Sequence, residues 1–131
     1  MLLSVIIFRD SEGKILLQFR DSNAKSWPLG FSLFGGLAEN SESAMEALLR
    51  EVKEELDLDL TSDDVTLLEE TPWESGISGE KTVYFYEGKK PLAWEDFKIH
   101  EGAGAAFLTK EEILSMDNVS KIARYVVERH C

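Results

Sequence analysis

The sequence predicts a single α/β domain over residues 1–131, built on a mixed sheet with helices on both faces. Three observations predict it. Short apolar runs rich in β-branched and aromatic residues recur along the chain, as strands require. One segment in the first half, residues 43–56, has helical periodicity. A second helical pattern closes the chain, so helices enter the strand order at two places, enough to cover two faces of a sheet.

Taken in order, residues 2–8 form a β-branched, apolar strand that reads as buried. Asp10-Ser-Glu-Gly13 is a turn, and residues 14–20 are a second strand, predicted to make a hairpin with the first. Residues 21–28 are a polar loop carrying Trp27. Residues 31–34 form a short strand that leads into Gly35-Gly36. The helix begins at Ser43, which with Glu46 three residues later makes a capping box. Residues 65–73 and 81–86 are strands joined by a turn around Gly76 and Gly79. Residues 88–91 are a loop, and residues 105–108 a last short strand. Thr109 and Glu112 form another capping box, opening a helix to about Met116. Asn118 is the expected cap of the final helix, whose buried stripe is Val119, Ile122, Val126 and Tyr125. No repeat, low-complexity segment or linker interrupts the chain.

The helix at 43–56 carries the chemistry. Met45, Leu48, Leu49, Val52 and Leu56 share an apolar face at about 100° per residue. Glu51, Glu54 and Glu55 fall together on the adjacent face, since positions three and four apart are neighbours. Three carboxylates so close repel one another, and a divalent cation is the economical compensation. Oxygen-only ligands suit magnesium or manganese rather than zinc. A solvated acidic face is the ordinary meaning of a Glu-rich helix. It does not explain Gly35-Gly36, Glu42 and Arg50 at their offsets.

The stretch from Gly36 through Glu42, Arg50, Glu51, Val52, Glu54 and Glu55 to Leu58 resembles the signature box of the Nudix hydrolases, MutT-like enzymes among them. The six invariant-type residues among them, Gly36, Glu42, Arg50, Glu51, Glu54 and Glu55, match at the required spacing, which chance supplies about once in ten million starting positions at average composition. Asp57 stands where the family pattern has glycine. The resemblance implies the Nudix fold, an α/β/α sandwich around a mixed sheet. It implies metal-assisted hydrolysis of a pyrophosphate bond in a nucleoside diphosphate derivative, with a (d)NTP giving NMP and pyrophosphate as the default. Carried onto this chain, it makes Glu51, Glu54, Arg50 and Glu101 the catalytic set. Glu51, Glu54, Glu55 and the Gly35 carbonyl become ligands of magnesium or manganese, and Gly36, Glu42 and Asp57 structural members of the motif. Which carboxylate takes the proton of the attacking water stays open. Arg50 reads as an orienter that holds Glu42 or a cluster carboxylate in a bidentate pair. A Nudix fold that only binds a nucleotide, as a sensor or regulator, is the alternative, although such members often lose box glutamates that this chain keeps.

Substrate contacts are sought in Arg20, at the end of the second strand, and Trp27, in the loop after it. Phe31 and Phe34 could also stack a base, with Phe34 reading rather as core. Leu37 stands where some MutT-like enzymes have lysine. His100 and His130 show no metal-ligand spacing. The net charge of −11 argues against unaided binding to a nucleic acid polymer and requires a cation for a polyphosphate to approach. The single cysteine, Cys131, forms no internal disulfide. Residues 1–8 are too short for a membrane span and lack a signal-peptide pattern, so the expected compartment is the cytoplasm. The expected partner is a small nucleotide, with a homodimer allowed.

Glu101 stands in the loop Ile99-His-Glu-Gly-Ala-Gly-Ala105, where MutT-like relatives often place a further ligand or base; Glu95 and Asp96 are its competitors. Glu101→Gln should lower turnover at saturating substrate and magnesium by roughly ten- to a hundredfold, with little change in melting temperature. Normal turnover in this variant, beside a defect in Glu95→Gln or Asp96→Asn, would transfer the role.

Overall fold

The computed structural model describes residues 1–24, 27–75, 79–100 and 102–131. Among the described residues seven strands form two sheets. Strands β1 (Leu2–Ile7), β4 (Phe34–Leu37), β5 (Val65–Ser75) and β6 (Gly79–Gly88) make a four-stranded sheet in the order β4-β1-β6-β5. Strands β2 (Ile15–Phe19), β3 (Phe31–Ser32) and β7 (Gly104–Leu108) make a second sheet in the order β3-β2-β7. The first sheet is mixed: β1 runs parallel to β6 and antiparallel to β4. Helix α1 (Ala44–Leu56) covers one face, while α2 (Lys110–Ser115) and α3 (Lys121–His130) lie on the other.

Alternation along the strands builds the two cores. Val5 and Ile7 of β1, Ile15 and Leu17 of β2, and Val83 and Phe85 of β6 turn to Ile113, Ala123, Val126 and Val127 of α2 and α3. Ile6, Phe8, Leu16, Phe34 and Tyr86 turn the other way, to Leu48, Val52 and Leu56 of α1. The two-residue period thus divides one apolar run between two layers.

Several expectations are corrected. β1 and β2 do not make a hairpin. Both edges of β1 are taken by β4 and β6, and contact with the start of β2 is reduced to an Arg9–Ile15 bridge and the bond from the Leu16 amide to the Phe8 carbonyl. The single strand expected at 31–34 is two, and the chain changes sheets at Leu33. Asn118 does not cap the last helix. Ser120 does, its hydroxyl accepting the Ala123 amide. Asn118 instead gives its carbonyl to the Phe31 amide and the Trp27 indole. Both capping boxes, Ser43 with Glu46 and Thr109 with Glu112, are formed. Gly76, in the expected turn between β5 and β6, lies outside the described residues. Among the described residues no helix is long and apolar enough to cross a membrane.

Helix α3 is fastened to β5 by one carboxylate. Glu69, beside the β5 bulge, accepts hydrogen bonds from the Thr71 and Tyr125 hydroxyls and from Arg129 Nε at 3.0 Å, and its Oε1 lies 2.8 Å from His130 Nε2. These contacts, the Thr71 hydroxyl first, hold its pKa well below the ordinary 4.5. A carboxylate with a depressed folded pKa stabilises the fold above its unfolded pKa, and that contribution is lost as pH falls below about 4.5. Glu69→Gln should therefore melt lower than wild type at pH 7, with the gap closing as pH is lowered toward 3. Thermal melts across that range provide the check; a gap independent of pH would show that the charge of Glu69 contributes nothing.

Candidate active site

Helix α1 reaches its place because strand β4 has no side chains where it arrives. A Cβ on Gly36 would lie 2.4 Å from the Glu51 carboxyl carbon, and one on Gly35 would lie 2.0 Å from the Ser4 carbonyl oxygen. Gly35 also has φ +140, a conformation that L side chains rarely adopt. Into this bare strand α1 sends Glu55, only 3% exposed, whose Oε1 accepts the Gly35 amide at 2.9 Å. At the other end of the helix, the buried Ser4 hydroxyl donates to the Ala44 carbonyl at 2.7 Å. Leu48, Val52 and Leu56 then bury fully, with Met45 and Leu49 at the margin of the face.

Arg50 occupies the middle of the acidic face. Its Nε and Nη2 hold Glu42 in a fork at 2.8 and 2.9 Å, and Nη2 also reaches the Leu37 carbonyl at 3.2 Å. Its Nη1 lies 2.9 Å from Glu51, 3.4 Å from Glu54 and 3.6 Å from Glu39. The fork lowers the pKa of Glu42 to about 2, helped by the Glu39 amide; the same bonds raise that of Arg50. Arg50 makes the bidentate pair with Glu42 and engages Glu42, Glu51 and Glu54 together.

The three box carboxylates occupy different environments. Glu54 has a side chain 53% exposed, that of Glu51 is 18% exposed, and Glu55 is buried. All donors on this face are carboxylate or backbone oxygens, with Gly36 leaving the cradle in which the Glu51 carboxyl lies, so the chemistry fits a hard divalent cation. Among the described residues no three acidic, histidine or cysteine side chains are already arranged to hold a metal ion. Glu51 and Glu54 are turned to Arg50, and Glu55 to the Gly35 amide.

Beside this face the backbone is pinned at two places. The Lys98 and His100 amides donate to the Leu56 and Glu55 carbonyls at the end of α1. Gly102, at φ +80, packs where a Cβ would meet the Phe19 carbonyl at 2.8 Å, and the Ala103 amide bonds that carbonyl. Glu101 itself lies outside the described residues. Its competitors Glu95 and Asp96 belong to a short 3-10 turn in which Asp96 accepts the Ala93 amide.

A polar cleft of about 450 Å³ opens at the end of β2, lined by Gln18, Arg20, Asp21, Asn23, Ala24, His100 and Gly102. The Arg20 Nε is buried there and has no hydrogen-bond partner among the described residues. A buried donor left unpaired costs about 1–3 kcal/mol. Trp27 does not line the cleft. Its indole donates to the Asn118 carbonyl at 2.8 Å and its ring lies over Gly30. Phe34 is fully buried and Phe31 stacks on Phe19, so neither faces the cleft. Gln18 was not singled out in the sequence, where its signal was an amide inside an otherwise apolar strand, and His100 was read there only as lacking metal-ligand spacing.

The family model of the NUDIX domain matches residues 3–129. The chain belongs to the Nudix family. Membership makes it a hydrolase acting on pyrophosphate bonds of nucleotide derivatives. A search of curated proteins finds no match. Among solved structures it is similar to the MutT protein of Methanosarcina mazei, at 24% identity and TM-score 0.83 over 98% of this chain and 91% of that one. It is also similar to the dihydroneopterin triphosphate pyrophosphohydrolase of E. coli, at 17% identity and TM-score 0.75, covering 98% and 93%. A third similar structure is the NUDIX domain of Shewanella oneidensis NrtR complexed with ADP ribose, at 17% identity and TM-score 0.75, covering 98% and 84%. At these identities the likeness is one of fold, and it agrees with the two-faced mixed sheet described above.

Asp57, the departure from the motif, has a left-handed conformation, φ 57 and ψ 35. Its amide donates to the Lys53 carbonyl, and its carboxylate pairs with Lys53 Nζ at 3.1 Å. Asp57→Gly removes left-handed strain and the ion pair together, and frees the unfolded chain. Stability should shift by less than about 1 kcal/mol and activity by no more than a few-fold. Denaturant melts and steady-state rates check both; a collapse of activity would place Asp57 in the site.

Proposed function

We propose that the chain is a magnesium- or manganese-dependent pyrophosphohydrolase that converts a (d)NTP to NMP and pyrophosphate. The observation that carries this is a polar cleft lined by Arg20 and His100, the latter's backbone amide bonding the Glu55 carbonyl at the end of α1. A phosphate oxygen is the acceptor that a guanidinium takes best.

In the reaction, water adds to a phosphorus of the substrate, the anhydride P–O bond breaks, pyrophosphate leaves, and the water's proton passes to a carboxylate. Glu51, Glu54 and Glu55, with the Gly35 carbonyl, would hold the metal, which when bound neutralises phosphate charge and acidifies water. Glu55 is fixed by the Gly35 amide and serves as the rigid member. Glu54, the most exposed of the three, is the one free to adjust. Arg50 and Glu42 keep the helix and the preceding loop in register, and Arg20 orients the substrate. Glu51, Glu54 and Glu101 remain the candidate proton acceptors.

A binding-only role has one supporting observation, the likeness to the NrtR domain whose structure contains ADP ribose. The retained box carboxylates favour turnover. Pyrophosphate release in a panel of nucleotides with magnesium separates the two readings. Stabilisation by a nucleotide without turnover would select the second. Activity should vanish in excess EDTA. Glu54→Gln should lower the rate by a factor on the order of a hundred or more without loss of stability, since its side chain is half exposed. Glu55→Gln is the poorer test, because it also disturbs the buried bond to Gly35. Full turnover in EDTA would end the metal-dependent reading.

A further inference from the structure

The Arg50 guanidinium is divided between two tasks. Its Nε and Nη2 are committed to Glu42 at 2.8 and 2.9 Å. Its Nη1 is shared among Glu51 at 2.9 Å, Glu54 at 3.4 Å and Glu39 at 3.6 Å. The fork on Glu42 is a tight bidentate pair between two side chains of low exposure, 24% and 19%. The Nη1 side is different in kind. It has one close partner and two distant ones, and one of the distant partners, Glu54, is half exposed. A cation in this position offsets the repulsion among the carboxylates around it. It also competes with any other cation for the same oxygens.

We propose that Arg50 is the resident counter-cation of the acidic face, with Nη1 giving up Glu51 and Glu54 to an arriving divalent ion while Nε and Nη2 keep Glu42. The inference rests on the metal-dependent reading above. It assigns Arg50 a positioning role: setting the metal affinity of the site rather than touching substrate. The guanidinium stays anchored through Glu42 throughout, so exchange requires only small movements of the Glu51 and Glu54 side chains. The helix and the Gly35–Glu55 bond need not move. The consequence is a weaker hold on the metal than three bare carboxylates would have, and a face that is charge-compensated before the metal arrives.

The test is magnesium binding by calorimetry, without nucleotide, on the wild-type chain, Arg50→Gln and Glu42→Gln. Arg50→Gln removes the competing charge and should bind magnesium about three- to tenfold more tightly than wild type, the range for losing one nearby, partly screened unit charge. By linkage, the melting deficit of this variant should shrink when magnesium is saturating. Glu42→Gln breaks the brace but leaves the positive charge beside Glu51 and Glu54, so it should bind no more tightly than wild type. Equal or weaker magnesium binding in Arg50→Gln would make Arg50 a brace alone and overturn the proposal. So would tightening by Glu42→Gln. Absence of magnesium binding in the wild type would instead remove the metal-dependent reading, and this inference with it. Should Arg50→Gln fail to fold, nitrogen-15 NMR of the wild type decides. Magnesium should shift the Arg50 Nη1 signal and leave the Nε–H signal in place, and any other pattern overturns the proposal.

Discussion

The close approach of α1 to the side-chain-free strand β4 is the constraint on which the site depends. Glu55 is a carboxylate buried to 3% exposure, and burying an unpaired charge costs several kcal/mol. The Gly35 amide answers that cost with a charge-assisted hydrogen bond at 2.9 Å. The bond forms only where the helix can come close; the missing Cβ of Gly36 leaves room for Glu51 of the helix, and that of Gly35 lets β4 lie against the Ser4 carbonyl of β1. With Ser4 bonded to the Ala44 carbonyl at the far end, the helix is fixed to the sheet along its length. Glu51 and Glu54 are aimed as a consequence.

Electrostatics explains why this segment contains an arginine at its centre. The chain has 25 acidic and 14 basic residues, and Glu39, Glu42, Glu51 and Glu54 all lie around one point of α1. A lysine would offer a point charge. The guanidinium offers a planar fork for Glu42 and a remaining nitrogen for the others. The same geometry ties the loop before the helix to the helix itself, so the loop from Gly36 to Ser43 and the carboxylate face form one unit.

The cleft at Arg20 depends on contacts distant in sequence. The end of α1 supplies two carbonyls to the amides of Lys98 and His100, while the end of β2 supplies the Phe19 carbonyl to Ala103. The loop between β6 and β7 is thereby held between helix and sheet. Gly102, left-handed and in close backbone contact, is the position where this path admits no side chain. The cleft at Arg20 and the carboxylate at Glu55 are therefore linked through a few backbone hydrogen bonds rather than through a shared side chain.

The sequence by itself determined the parts governed by local rules. The α1 start at Ser43, the second capping box at Thr109, the apolar face of α1 and the α/β class all follow from short-range capping and periodicity. The grouping of Arg50 with Glu42, Glu51 and Glu54 was equally legible, because turns of one helix and its entry loop bring them together. Only the tertiary structure decided which strands pair. The 2–8 run fits a hairpin with β2 as well as a central strand, and β4 and β6 settled it by occupying both edges of β1. It also decided that Glu55 is buried while Glu54 is exposed, that Asn118 holds Trp27 rather than capping α3, and that Gln18 and His100 meet Arg20. Each of these depends on which surface lies opposite a residue, and that is fixed by packing between elements far apart in the chain rather than by the residue's own neighbours.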